Sequence, residues 1–379
     1  MLPDESGEIA RDSGPLIPAP RNLRLYYDRP MSTDQSRISV AVLGPTGYTG
    51  LELIELLASH PGMKVGFLGS AREHPPAIAV EFPRLAKRLG GGPQMCEKID
   101  HSAISSRCKL AFLCLPHEAA MEHVPKLLAL GVKVVDLSAA YRIKDVATYE
   151  NAYGHKHHDA ANLARAVYGL PELARNQIRD AMLVANPGCY PTAAALAMVP
   201  LLRAGLVSSA GLIINAASGA SGAGRDAKPH LMLVEAGQNY SAYGIGVHRH
   251  QPEIEQTLRT HGEAAGAQAA VLFVPHLLPI DRGILETIYA TPARPNVTTA
   301  EVQTALQAAY ANEAFVVVRD EAPALRDVLR TNMVHINARV VGGHVVIIAA
   351  EDNLTKGASG QAIQNANLML GLPEAMGLV

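Results

Sequence analysis

Ile38-Ser39-Val40-Ala41-Val42-Leu43-Gly44-Pro45-Thr46-Gly47-Tyr48-Thr49-Gly50 runs from a β-branched apolar segment into three glycines spaced G-x-x-G-x-x-G, and residues 51–59 continue with helical periodicity. Strand, glycine turn and helix in that order form the opening unit of a parallel α/β sheet. Such a turn lets the backbone come close to a pyrophosphate, and the free N–H groups at the helix start can hydrogen-bond the anion. The spacing is a variant of G-x-G-x-x-G, and a turn that merely joins strand to helix is the plain alternative. Strand and helix both stand where a dinucleotide site requires them, which favours binding.

Outward from that unit the alternation continues. Residues 64–69, 110–115, 132–137 and 182–185 read as further strands, with 118–130 as a helix between the second and third of these. Beyond residue 189 the texture changes. Residues 212–216, 271–274, 284–290, 315–318, 334–340 and 345–350 read as alternating strands, the last two joined through Val341-Gly342-Gly343-His344 as a hairpin. The glycine/serine run 218–224 reads as a loop. A last helix over 358–370 is expected to return to the first part of the chain. The fold class is therefore α/β, a Rossmann-type domain followed by an α+β domain with an antiparallel or mixed sheet.

The bulk numbers agree with such a chain. A length of 379 residues favours two domains, and 48% hydrophobic with 18% charged residues excludes a disordered protein. A net charge of -2 gives no reason to expect nucleic acid. Cys96, Cys108, Cys114 and Cys189 are too few and too irregular for a disulfide scaffold or a zinc site, and fit a reduced cytoplasmic compartment. No apolar run reaches the roughly 18 residues of a membrane span. Residues 1–36 combine Asp4, Glu5, Glu8 and Asp12 with prolines and no apolar core segment, unlike a secretory signal or a transit peptide. They read as a loosely ordered extension without assignable function, with Met31 a candidate natural start.

The end of the second strand, Gly69-Ser70-Ala71-Arg72, bears on the cofactor. An NAD site commonly has an acid there for the ribose 2′-hydroxyl. A hydroxyl at Ser70 and a guanidinium at Arg72 suit a 2′-phosphate instead, so NADP is favoured; Glu73 keeps NAD open, and a surface arginine is the bland alternative.

Asn186-Pro187-Gly188-Cys189-Tyr190-Pro191-Thr192 places one thiol in a Pro/Gly turn just before a helical pattern. A helix start favours thiolate over thiol, which makes Cys189 a candidate nucleophile rather than an inert core cysteine. A nucleophile beside a hydride carrier needs a proton handler. The segment His248-Arg249-His250-Gln251-Pro252-Glu253 supplies two imidazoles, and Glu253 is placed to orient one of them. No third ligand is spaced to make a metal site of these histidines. Ser138 and Arg142, in a loop after a strand, and Arg282 are candidates for an anionic substrate, each arginine being equally suited to a structural ion pair.

Taken in order, these segments resemble the N-acetyl-γ-glutamyl-phosphate reductase family. The resemblance rests on 44–50, 136–142, Tyr168-Gly169-Leu170-Pro171-Glu172-Leu173, 186–192, 218–225, 248–254, Pro275-His276-Leu277-Leu278-Pro279 and Asp352-Asn353-Leu354-Thr355-Lys356-Gly357-Ala358. It spans residue 38 to the C-terminus. It implies a Rossmann domain interrupted by an α+β domain of the glyceraldehyde-phosphate dehydrogenase type. The boundaries implied are an NADP-binding part at 37–188 plus 353–379 and a catalytic and oligomerisation part at 189–352. Cys189 then matches the nucleophile, His248 the general acid/base and Glu253 its orienting partner. Ser138, Arg142 and His250 fall to the substrate, and Arg282 stays a substrate candidate on its own segment alone. Gly44, Thr46, Gly47, Tyr48, Thr49, Gly50, Ser70, Arg72, Ser218, Gly219 and Asn353 fall to NADP.

The chemistry implied is NADPH-dependent reductive dephosphorylation of an acyl phosphate through a cysteine thioester, with inorganic phosphate as the other product, in arginine biosynthesis. A cytoplasmic homo-oligomer, dimer or tetramer, is expected. Which of His248 and His250 donates the proton is open at this stage. Aspartyl phosphate and an N-acetylaminoadipyl phosphate remain alternative substrates, because one methylene is worth only about 1–3 kcal/mol in a pocket. A non-catalytic NADP sensor and a Cys189/His248 hydrolase are the readings from other classes.

Overall fold

Strand β1 (Ile38–Leu43) is buried on both faces, with Val40, Ala41, Val42 and Leu43 fully covered. A strand apolar on both sides belongs inside a parallel sheet covered by helices. In the computed structural model, which describes residues 37–379 apart from 87, 90, 91 and 264–267, β1 has that place. The reading of residues 1–36 lies outside the described residues. β1 pairs in parallel with β2 (Met63–Ser70) and β4 (Leu110–Leu113). The sheet is completed by β3 (Glu97–Lys98), β5 (Lys133–Asp136), β6 (Val167–Tyr168) and β7 (Leu183–Ala185), in the order β3-β2-β1-β4-β5-β7-β6, all pairs parallel. Its helices are α1 (Tyr48–Ser59), α2 (Ile78–Glu81), α3 (His101–Arg107), α4 (His117–Ala129), α5 (Val146–Tyr153), α6 (Ala160–Arg165) and α7 (Pro171–Asp180).

Helix α8 (Cys189–Arg203) follows β7 directly. Every residue from Tyr190 to Leu202 is buried, the mark of a helix packed all round inside the protein. Its cover is a second, mixed sheet made of β8 (Leu212–Gly219), β9 (Ser241–Ala242), β10 (Val271–Leu278), β11 (Ile284–Ala290), β12 (Val316–Val318), β13 (Val334–Val341) and β14 (His344–Glu351). The order is β12-β13-β14-β11-β8-β10-β9. Alternate residues of these strands (Leu212, Ile214, Ala216; Ile284, Ile288; Ile347, Ala349) join α8 in one core. Helices α9 (Leu233–Ala236), α10 (His250–His261) and α11 (Thr299–Tyr310) complete this part.

Two strands are longer than their local sequence indicates. β8 and β10 pair residue by residue from Leu212↔Val271 to Gly219↔Leu278, so Ser218 and Gly219, read as loop, end a strand. Pairing with a neighbour, not propensity, extends them. After β14 a π turn (Thr355–Ser359) leads into α12 (Gly360–Met369), whose Ala362, Ile363, Ala366 and Met369 pack with Val40, Leu110 and Val135 of the first sheet. The buried amide N–H groups of α12 reach back to the first part of the chain: Gln361 donates to Thr192 Oγ1 at 3.0 Å, and Asn365 donates to Gly169 O at 2.8 Å and to Asn186 Oδ1 at 3.0 Å. The returning helix thereby grips the turn that carries Cys189.

Candidate active site

The glycine loop shows two kinds of need for glycine. Gly44 has φ +83, and a Cβ there would lie 2.3 Å from Cys114 O, so the fold itself requires it. Gly47 has an ordinary φ of -77, and a Cβ on it would meet only Gly44 O, at 3.9 Å. Nothing inside the protein excludes a side chain there. Gly47 is the N-cap of α1 with no side-chain cap, which leaves the first N–H groups of the helix without a side-chain acceptor. That concavity fits a pyrophosphate.

At the ends of β2 and β3 lies a cavity of roughly 260 Å³, lined by Ser70, Arg72, Glu73, Lys98 and His123 among others. Ser70 Oγ accepts the Arg72 N–H at 3.2 Å, and Arg72 pairs with Glu81 at 2.7 Å. Lys98 stands opposite Ser70 in the β2–β3 register. Sequence reading passed over Lys98 and His123, because β3 is only two residues long and has no periodicity to read. From the second sheet, Ser218, Ser221 and Asn353 gather nearby: Asn353 Nδ2 donates to Ser221 Oγ at 3.0 Å, and Arg225 Nη1 donates to Thr46 O of the glycine loop at 2.9 Å. Asn353 Oδ1 also accepts the Gly283 N–H at 2.7 Å, so its amide pins two loops.

The cysteine turn is held from three sides. Asn186 N–H donates to Asp136 O at 2.8 Å, and Arg142 Nε donates to Asn186 O at 2.7 Å. Glu253 Oε1 accepts the Gly188 N–H at 2.8 Å and the Tyr168 hydroxyl at 2.9 Å. Gly188, the N-cap of α8, is overlain so closely that a Cβ would sit 2.7 Å from His250 Nε2 and 3.0 Å from Arg142 Nη1. Cys189 is thus at the first turn of a fifteen-residue helix with the His250 imidazole over the preceding residue. His248 lies against His250 (ring centroids 5.0 Å apart), Phe273, Tyr190 and Tyr243. The two tyrosine hydroxyls meet at 3.0 Å. Tyr190 and Tyr243 were not singled out from sequence; only the pairing of β9 with β10 brings the second one here.

Several expectations are corrected. Glu253 does not orient His248: its oxygens face Gly188, Tyr168 and, at 3.6 Å, Arg142, while His248 Nδ1 accepts the backbone N–H of His250 at 3.1 Å. Arg282 is no free anion clamp: it is buried, with Nη1 and Nη2 each 3.1 Å from Glu52, Nη2 2.8 Å from Asp352 and 3.0 Å from Thr355 Oγ1. Arg142 spends Nε and Nη2 on the carbonyls of Asn186 and Leu137. The Ser138 hydroxyl donates to Asp136 Oδ2 at 2.7 Å and accepts the Ala140 N–H. The thiol is corrected too. Burial pushes Cys189 up to about 12, the Glu351 carboxyl adding to it, against the Tyr190 N–H and Arg142, which pull it down. A helix start alone does not make a resting thiolate here. Burial holds His248 down to about 4, with Arg249 in the same direction, and burial holds His250 well below the ordinary histidine value. A protonated thiol beside neutral imidazoles can transfer its proton as it attacks.

A dinucleotide loop on one sheet and a cysteine–histidine turn between the two sheets together define a dehydrogenase that works through a thiol. Residues 39–181 match the semialdehyde dehydrogenase NAD binding domain and residues 189–353 the semialdehyde dehydrogenase dimerisation domain. Within that class the chain belongs to the N-acetyl-γ-glutamyl-phosphate reductase family. The reductase of Synechococcus elongatus is 43% identical over 349 residues, 91% of this chain and 97% of that protein. That of Moorella thermoacetica is 44% identical over 345 residues, 90% and 98%. In fold, aspartate semialdehyde dehydrogenase II of Vibrio cholerae superposes with a TM-score of 0.66 at 16% identity, covering 88% of this chain and 98% of its own. No helix among the described residues is long and apolar enough to cross a membrane.

Proposed function

We propose that this protein reduces N-acetyl-γ-glutamyl phosphate to N-acetylglutamate 5-semialdehyde with NADPH, releasing inorganic phosphate, as a step of arginine biosynthesis in the cytoplasm. Residues 37–188 with 353–379 take the dinucleotide, residues 189–352 take the acyl phosphate, and the working form is a homodimer or tetramer. The observation that carries the reading is Cys189 at the start of α8 with the two imidazoles packed over its turn.

In the reaction the packed imidazole pair takes up the Cys189 proton as the sulfur–carbon bond forms, His250 Nε2 being the ring nitrogen that lies over the turn. The adduct collapses by breaking its carbon–oxygen bond to phosphate, which leaves and takes its proton from water, and a thioester remains on Cys189. When bound, NADPH supplies the hydride that reduces this thioester. Gly44, Gly47 and Gly50 give the pyrophosphate its approach to α1, with Ser70 and Arg72 at the 2′-phosphate. The Cys189 proton passes from the imidazole pair to the thiohemiacetal oxygen and then to the sulfur as the carbon–sulfur bond breaks, which frees the aldehyde. Glu253 and Arg142 hold the turn in place throughout.

The test is aldehyde-dependent NADP reduction by the purified protein, with and without phosphate, on N-acetylglutamate semialdehyde, aspartate semialdehyde and the N-acetylaminoadipate homologue. Phosphate-dependent turnover confined to the first substrate is expected. Turnover retained by Cys189→Ser, or a preference for either other aldehyde, overturns the assignment.

A further inference from the structure

We infer that Arg249 is the cation that holds a substrate oxyanion at this site, with the Tyr153 hydroxyl and the open Nδ1 of His250 beside it. This rests on the acyl-phosphate reading above. Such a substrate is anionic at both ends, a phosphoryl group at the acyl carbon and a carboxylate at the other end, so its pocket needs an uncommitted positive charge.

Arg142 and Arg282, the two arginines that the sequence offers for this task, are both spoken for. Arg142 is buried against Asn186 O, Leu137 O and Glu253, and Arg282 is buried between Glu52 and Asp352. Arg249 is different. Among the described residues no carboxylate or carbonyl is bonded to its guanidinium, which lies 5.9 Å from the centroid of the Tyr153 ring. It is exposed, at the mouth of the site rather than in the core. It lies between the two histidines in sequence and is the N-cap residue of α10, a helix start that itself favours an anion. Burial lowers His248, His250 and His117, and the Arg249 charge acts on each in the same direction.

Two polar atoms next to it point the same way. Tyr153 Oη and His250 Nδ1 are buried and have no hydrogen-bond partner. Buried polar atoms are nearly always paired, so an unpaired donor beside a cleft is free to bond what enters it. A hydroxyl and a ring nitrogen able to donate, flanking a free guanidinium, form a donor set for an oxyanion and for nothing apolar.

The experiment measures the oxidative reaction of wild type, Arg249→Gln, Arg249→Lys and Tyr153→Phe, with KM for inorganic phosphate and KM for the semialdehyde determined separately and NADPH binding followed by fluorescence. Arg249→Gln is expected to raise at least one of the two anion KM values by about tenfold or more, Arg249→Lys to recover part of that, and NADPH affinity to stay as in wild type. A raised KM for phosphate assigns Arg249 to the phosphoryl group, and a raised KM for the aldehyde assigns it to the carboxylate. If neither KM moves, or only kcat falls, the inference is overturned. Should Arg249→Gln fail to fold, Arg249→Lys and Tyr153→Phe carry the same comparison, and wild-type KM values in both overturn it. A wild-type protein without phosphate-dependent turnover on any of the three aldehydes would instead defeat the underlying reading.

Discussion

Glu253 Oε1 accepts the backbone N–H of Gly188 at 2.8 Å, which ties the first turn of α10 to the first turn of α8. Its other oxygen lies 3.6 Å from the buried guanidinium of Arg142. A glutamine in this place keeps an oxygen for Gly188 and removes the carboxylate paired with Arg142. Removing one half of a buried pair costs about 3–5 kcal/mol. Glu253→Gln is therefore expected to lower the urea midpoint by a free energy of that order and to cut kcat, because the cysteine turn loses its support. A variant that unfolds at the wild-type midpoint would show that the pair contributes nothing.

The resting state of the thiol makes a second prediction. With Cys189 pushed up to about 12 by burial and by Glu351, the free protein should react slowly with iodoacetamide near neutral pH, the rate still climbing at about pH 10. A plateau near neutrality would mean a preformed thiolate. With His248 held down to about 4, kcat/KM should lack an inflection near the ordinary histidine value of about 6.5. His248→Asn should lower kcat by roughly 10²–10⁴. A pH–rate profile bending at 6.5 would move the proton-handling role elsewhere.

These corrections mark where sequence reading stops. The glycine loop, the cysteine turn and the returning helix were legible because each is local: a few residues fix a turn or an apolar face. The pairing of Glu253 was not, since it depends on where β6 brings Tyr168 and on how closely α10 packs over Gly188. A charged residue three to five positions from a histidine looks like its partner in sequence and points elsewhere in space. The tail of β8 was misread for a related reason, since Ser218 and Gly219 are strand only through β10 and β11. Thiol activation failed on magnitude: a helix start is worth about 0.3–1 kcal/mol, and burial of an anion costs more.

Arg282 gives the clearest separation of a structural from a substrate role. Its guanidinium is shared between Glu52 on α1 and Asp352 after β14, joining the two halves of the protein. Arg282→Gln leaves two carboxylates facing each other with their cation gone. Expected are a loss of about 3–5 kcal/mol in unfolding free energy and, in whatever folds, unchanged KM for phosphate and aldehyde. A selective rise in either KM at wild-type stability would restore the anion-clamp role.

His60 predicts how the protein fails in acid. At the end of α1 its Nδ1 accepts the backbone N–H groups of Gly62 and Met63, at 3.0 and 2.8 Å, so the proton sits on Nε2, facing Asn367 Oδ1 of α12 at 3.1 Å. Protonating Nδ1 breaks both backbone bonds. Burial holds His60 down to about 4, with Arg37 acting in the same direction against the hydrogen bond to Asn367. A folded-state value below the unfolded one means that the unfolded chain takes up the proton first. The stability due to neutral His60 is complete above about pH 6.5 and is lost as the pH falls through 6.5 toward 4, in total about 3 kcal/mol. His60→Gln cannot titrate. Its unfolding free energy should therefore fall less than that of wild type between pH 7 and 4, although it begins lower. Parallel curves for the two proteins would place the acid sensitivity in other groups.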